Sequence, residues 1–150
     1  MRVQSERIAA SFRGVQKLGR RRFLRRQEEI RRVLLESEGA VVDVEGGLPA
    51  LWLREYMAYD PAPDLRAIRC PVLAITGRSD LQVEPDDVER IGQLVAGPFT
   101  GSTPADLTHV LRTDSRRPSL AGYRAQLRRP VDADLLETVS KWVSARQPRP

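Results

Sequence analysis

An α/β layered fold is what this 150-residue sequence predicts, and three observations carry the expectation. Val72-Leu73-Ala74-Ile75-Thr76 is a short, continuously apolar run, as expected of a strand buried on both faces of a parallel sheet. An amphipathic helical pattern follows from Pro85 to Val95, then a weaker strand pattern from Phe99 to Thr103. A last helical pattern begins at Asp132 and carries Leu135, Leu136, Val139, Trp142 and Val143. Strand, helix, strand, helix is the order of a layered arrangement. Two strands alone would leave open edges and an uncovered apolar face, so residues 65–146 read as the end of a larger fold.

The first third is expected to be helical. Ile8, Phe12, Val15 and Leu18 fall at helical spacing, and Phe23, Leu24, Ile30, Val33 and Leu34 continue the apolar stripe. Gly19 lies between them and is expected to separate two helices. Gly39 follows as a helix stop, Gly46-Gly47 and Pro49 mark a loop, and Leu51, Trp52, Leu53, Tyr56 and Met57 form a further helical patch expected to pack in a core or interface. At Tyr59-Asp60-Pro61-Ala62-Pro63 the prolines stop the helix, and Asp64 to Ile68 reads as a turn. The following Cys70, at the head of the strand, is expected to be a buried, inert thiol. In the helix from Pro85, proline occupies the first turn and the acids Asp86, Asp87 and Glu89 complement the helix dipole. Thr113 to Pro130 is polar and Arg-rich and reads as a surface excursion, Asp132 as the cap of the last helix, and Gln147 to Pro150 as a tail.

Composition narrows the function. The single cysteine excludes an internal disulfide, and one Cys with one His leaves no zinc cluster; no metal or cofactor is expected. No apolar run approaches a membrane span, and a cytoplasmic protein without membrane attachment is expected. The net charge of +5 is uneven: residues 1–35 hold eleven Arg and Lys against three Glu, a balance of +8, which leaves −3 for the remainder. Only Lys17 and Lys141 are lysine; such a bias also follows from GC-rich coding, so it weakens a nucleic-acid reading.

The chemistry-bearing pattern is Cys70-Pro71-Val72-Leu73-Ala74-Ile75-Thr76-Gly77-Arg78-Ser79-Asp80, answered by the sole histidine, His109. A carboxylate just past a strand and an imidazole on a later loop suit an orienting acid and a general base. Tyr59-Asp60-Pro61 before Ile68 to Gly77, and the turn Gly77-Arg78-Ser79-Asp80-Leu81-Gln82-Val83, resemble the C-terminal part of an α/β-hydrolase, of the serine-aminopeptidase-like and esterase-like kind. The resemblance runs from about Tyr56 to Trp142. It implies the C-terminal portion of that fold over residues 56–146, preceded by a helical cap-like segment over 1–55 and followed by the tail 147–150. It implies Asp80 as the triad acid and His109 as the base, in the family's order. The implied reaction is hydrolysis of an ester, amide or peptide-like bond by a Ser-His-Asp mechanism, on a small-molecule or peptide substrate.

The sequence departs from that family in one decisive respect: Gly-x-Ser-x-Gly occurs nowhere in it. The chain therefore reads as truncated, lacking the nucleophile, and inactive alone unless an upstream half completes it. Ser79 is set aside as nucleophile, because Leu81 stands where the elbow needs a small residue and the next helix begins only near Pro85. Asp106 is a weaker orienter than Asp80, and Asp86 and Asp87 are adjacent, so they do not face each other. Two alternatives stand beside the hydrolase reading. One is a basic module using Arg20-Arg21-Arg22 and Arg25-Arg26 on nucleic acid or another polyanion. The other is a cap-derived interaction protein whose exposed apolar surface recruits a partner or self-associates as a homo-oligomer.

Overall fold

A computed structural model describes residues 2–14, 16–43, 47–116 and 118–146; the expectations for Val15, Gly46 and the tail 147–150 fall outside them. The chain divides into two compact units, Met1–Pro61 and Ala62–Pro150.

In the first unit, α1 (Arg2–Ser11), α2 (Gln16–Glu36) and α3 (Ala50–Ala58) follow one another. The break between α1 and α2 falls at Gly14, whose φ of 51° only glycine adopts cheaply. Gly19, expected to separate two helices, instead lies within α2, with open space around it. Phe12 and Phe23 pack as a tilted pair across the break, centroids 5.2 Å apart and planes at 60°. Ile30, Leu34 and Ala50 form a small core, closed by Val42, Leu48, Leu53 and Met57. The Arg54 guanidinium donates to Ser37 Oγ (2.7 Å), Gly39 O (3.0 Å) and Leu34 O (3.4 Å), and so satisfies carbonyls at and just past the end of α2. Of the patch in α3, Leu53 and Met57 face the core, whereas Leu51, Trp52 and Tyr56 are exposed, with Trp52 and Tyr56 stacked on each other.

The second unit holds α4 (Ala62–Ala67), β1 (Val72–Ile75), α5 (Asp87–Leu94), β2 (Phe99–Ser102), α6 (Leu120–Gln126) and α7 (Ala133–Ser144). The strands pair in parallel, Val72 opposite Phe99 and Ile75 opposite Ser102, with α5 as the crossover. Val88 is buried on this side, and the Phe99 ring lies so close to Gly92 and Gly101 that a side chain at either would meet it. Asp132 Oδ1 accepts from Leu135 N at 2.9 Å and caps α7.

The expected fold class is corrected by this architecture. The structure is 51% helical, with seven helices and a single two-stranded parallel sheet among the described residues. It is a mostly helical chain, and a C-terminal portion of an α/β-hydrolase is not what it forms. Every residue of β1 is only half-buried, so the apolar run that suggested a strand covered on both faces belongs to a sheet too small to have two covered faces. Two segments expected to be irregular are helical. Pro63 sits in the first turn of α4, where its missing N–H costs nothing, and α6 lies inside the excursion after Thr113. Cys70, expected to be buried, is exposed because it precedes the paired residues of β1. No helix among the described residues is long and apolar enough to cross a membrane.

Candidate functional site

Two segments meet beyond the ends of β1 and β2: the turn Gly77–Asp80 and the loop Thr103–Thr113. Backbone bonds stitch them together, Arg78 N donating to Pro104 O (2.9 Å) and Ser79 N to Leu107 O (3.2 Å). Gly77 makes the approach possible, because any Cβ there would overlap the Leu107 carbonyl. Ser79 is buried and its hydroxyl donates to Ala105 O at 3.2 Å, a third stitch.

The outcome is a close contact between the two residues singled out by the sequence. His109 Nδ1 lies 3.0 Å from Asp80 Oδ2. Asp80 is only 5% exposed, and its other oxygen, Oδ1, accepts from the backbone N–H groups of Gln82 (2.7 Å) and Val83 (3.0 Å). A carboxylate fixed by two amide donors presents its second oxygen in one direction, toward the imidazole. An ionised carboxylate only accepts, so a neutral imidazole in this position is matched by the tautomer with its proton on Nδ1 and its lone pair on Nε2. The imidazole side chain is 39% exposed. Among the described residues, no side chain hydrogen-bonds to Nε2.

The loop that carries His109 is tightly constrained. Thr108 and Leu111 close a turn through Leu111 N to Thr108 O (2.9 Å), and Thr108 N donates to Arg112 O (3.0 Å). Leu111 holds a left-handed φ of 59°, which costs on the order of 1 kcal/mol for a residue with a Cβ. Arg112 Nη1 holds the Val110 carbonyl at 2.6 Å. Leu107 and Thr113 pair as an isolated antiparallel bridge.

Residues that the sequence did not single out complete the surroundings. Tyr123 of α6 lies parallel to the His109 ring, at 15° with centroids 6.4 Å apart. Its hydroxyl is buried and closes no hydrogen bond, although the Leu81 and His109 N–H groups and the Gln82 side chain are directed toward it. Burial raises its pKa and the Asp80 charge raises it further, so the phenol stays protonated. Below it, Thr108 Oγ1, Gln126 Oε1 and Nε2, and Asp114 Oδ2 form a chain with links of 2.7 and 2.9 Å. Asp114 Oδ1 accepts from Arg116 Nε at 2.9 Å, and the Arg116 hydrogen bonds lower the Asp114 pKa to about 2. Nothing in the sequence singled out α6, whose N-cap Ser119 makes no side-chain cap bond, and pairing across 12 to 18 positions leaves no local signal.

Asp106, Asp86 and Asp87 take no part in the contact with His109; Asp86 and Asp87 begin α5, where Asp87 pairs with Arg90 at 2.7 Å. Among the described residues, no group of three or more His, Cys, Asp or Glu is placed to hold a metal ion. Comparison of the chain with family models, curated proteins and solved structures finds no match in any of the three.

Proposed function

We propose that Asp80 and His109 are the acid and base of a hydrolytic centre acting on an ester, amide or peptide-like bond. One observation carries the reading: the 3.0 Å contact from His109 Nδ1 to Asp80 Oδ2, with Asp80 Oδ1 already committed to two backbone donors. In this scheme Nε2 takes the proton of an attacking hydroxyl. The buried Asp80 carboxylate stabilises the imidazolium that results, and the same proton then passes to the leaving group. Among the described residues no hydroxyl hydrogen-bonds to Nε2, so this reading takes the attacking serine from outside them. The resemblance of Gly77 to Val83 to the acid turn of serine-aminopeptidase-like and esterase-like hydrolases supports the same chemistry.

The chain alone should then hydrolyse an activated ester only slowly, through the imidazole. With p-nitrophenyl acetate, His109→Ala and Asp80→Asn are expected to lower the protein-dependent rate about tenfold or more, and a fluorophosphonate probe should label nothing. Unchanged rates in both variants, or a labelled serine in the chain alone, would overturn the proposal.

The first unit favours a second reading for its own surface. Lys17, Arg20, Arg21, Arg22, Arg25 and Arg26 are all exposed in the first half of α2, and among the described residues only Arg26 of these pairs with an acid, Glu29 at 3.1 Å. This is a binding face for a polyanion such as duplex nucleic acid. Binding through about four phosphates gives a log K against log salt slope of about −3 to −4; salt-independent binding, or none at low salt, removes the reading.

A further inference from the structure

The His109 imidazole reaches Asp80 from a turn that is strained at Leu111, and a strained turn persists only when its surroundings over-determine it. What surrounds it is one face of α6. Tyr123 and Gln126 lie three positions apart, hence on the same side of the helix, and each touches the turn differently. Gln126 is 2% exposed and Thr108 1% exposed. The Asp114 carboxylate accepts only, so Gln126 must direct its NH2 to Asp114 and its carbonyl oxygen to Thr108. Thr108 has one hydroxyl proton. Its Oγ1 lies 2.7 Å from Gln126 Oε1 and 2.9 Å from Arg112 O. Arg112 O is already served by Thr108 N at 3.0 Å, which assigns the proton to Gln126. The residue immediately before the imidazole is thereby tied through Gln126 to Asp114, which two bonds from the Arg116 guanidinium hold in turn at 2.9 Å each.

We infer that α6 is a clamp that positions the His109 ring: Gln126 fixes the backbone at Thr108, and the Tyr123 ring backs the imidazole so that Nδ1 stays on Asp80. Neither residue touches a reacting atom; both are positioning residues. The inference rests on reading His109 as the base, and it adds what holds that base in its working orientation. Tyr123 contributes the flat face that lies at 15° to the His109 ring.

The chain has one histidine, so its imidazole N–H proton is unambiguous in a 15N-resolved proton spectrum. In the unaltered chain the clamp predicts an Nδ1–H resonance exchanging slowly with water. Thr108→Val removes the hydroxyl at nearly constant shape, and Gln126→Met removes the amide at nearly constant length. Each should raise the exchange rate of that proton about tenfold or more, with far-UV circular dichroism unchanged. Thr108→Ser restores the slow rate, and Tyr123→Leu raises it. Because two independent cuts are made in the same tie, failure of one variant to fold leaves the other to decide. If the unaltered chain carries its proton on Nε2, the reading of His109 as the base fails. If it carries a slow Nδ1–H that neither Thr108→Val nor Gln126→Met accelerates, the clamp alone is wrong.

Discussion

Gly77 decides more at the scale of single residues than any charged group, because the acid turn and the histidine loop can touch only where a side chain is missing. A methyl group there would overlap the Leu107 carbonyl, a backbone atom that cannot rotate away. Gly77→Ala is therefore expected to destabilise the second unit by about 3 kcal/mol or more, read as a fall in urea midpoint together with loss of the His109–Asp80 contact. Asp114 gives a second test. Its carboxyl is depressed from the ordinary 3.8 to about 2, first by the Arg116 side chain. A depressed folded-state value means that the unfolded chain binds the proton first as pH falls. The stabilisation is thus fully present above about pH 4 and is lost as pH falls through about 2. Acid titration of unfolding should show this loss in the unaltered chain and a flatter profile in Asp114→Asn; equal slopes would contradict it. Asp80 and His109 were legible in the sequence because a strand end and a lone imidazole mark themselves. Thr108, Asp114, Tyr123 and Gln126 were not, because a buried polar chain is made of ordinary residues whose partners are chosen by the fold.

Among the elements, α7 was the most legible and α6 the least. Asp132 announces α7 as a capping residue before an apolar periodicity. Both its oxygens are used, one by Leu135 N and the other by the Thr113 hydroxyl, and these bonds lower its pKa. Asp132→Ala should cost about 1–2 kcal/mol, at the upper end for a cap because the tie to Thr113 is lost as well; a melting temperature unchanged from that of the parent chain would count against this geometry. By contrast, α6 has seven residues, one of them Gly122, and no acid in its first turn. Its stability comes from what it covers, and propensity alone cannot reveal that. The break between α1 and α2 was misplaced for a related reason. Two glycines lie close together, and only the backbone angle at Gly14 tells which one ends a helix.

At the scale of the whole molecule, strand-helix-strand order was read correctly along the chain but implied more sheet than the described residues form. Two strands of four residues cannot cover two faces, and β1 remains half-buried along its length. Its pairing side is shown by Val72 N on Pro98 O (2.8 Å) and Thr76 N on Ser102 O (3.1 Å). By strand alternation, the Leu73 and Ile75 amides point to the opposite, unpaired edge. Hydrogen exchange should accordingly be slow at Val72 and Thr76 and fast at Leu73 and Ile75. Uniform protection along β1 would show a further strand on that edge. Within the small sheet, the site is still well defined, since the stitches between residues 77–79 and 104–107 hold it directly. In the function proposed above, Asp80 sets the proton of His109 on Nδ1 and leaves Nε2 as a base. This assignment is tested most directly by the nitrogen spectrum of the single imidazole in the parent chain and in Asp80→Asn. In the variant, the asparagine oxygen must serve the Gln82 and Val83 amides, so its NH2 faces Nδ1 and drives the ring proton to Nε2. An Nδ1–H tautomer is expected in the parent and an Nε2–H tautomer in the variant. A parent already protonated on Nε2, or a tautomer that does not change, would contradict it.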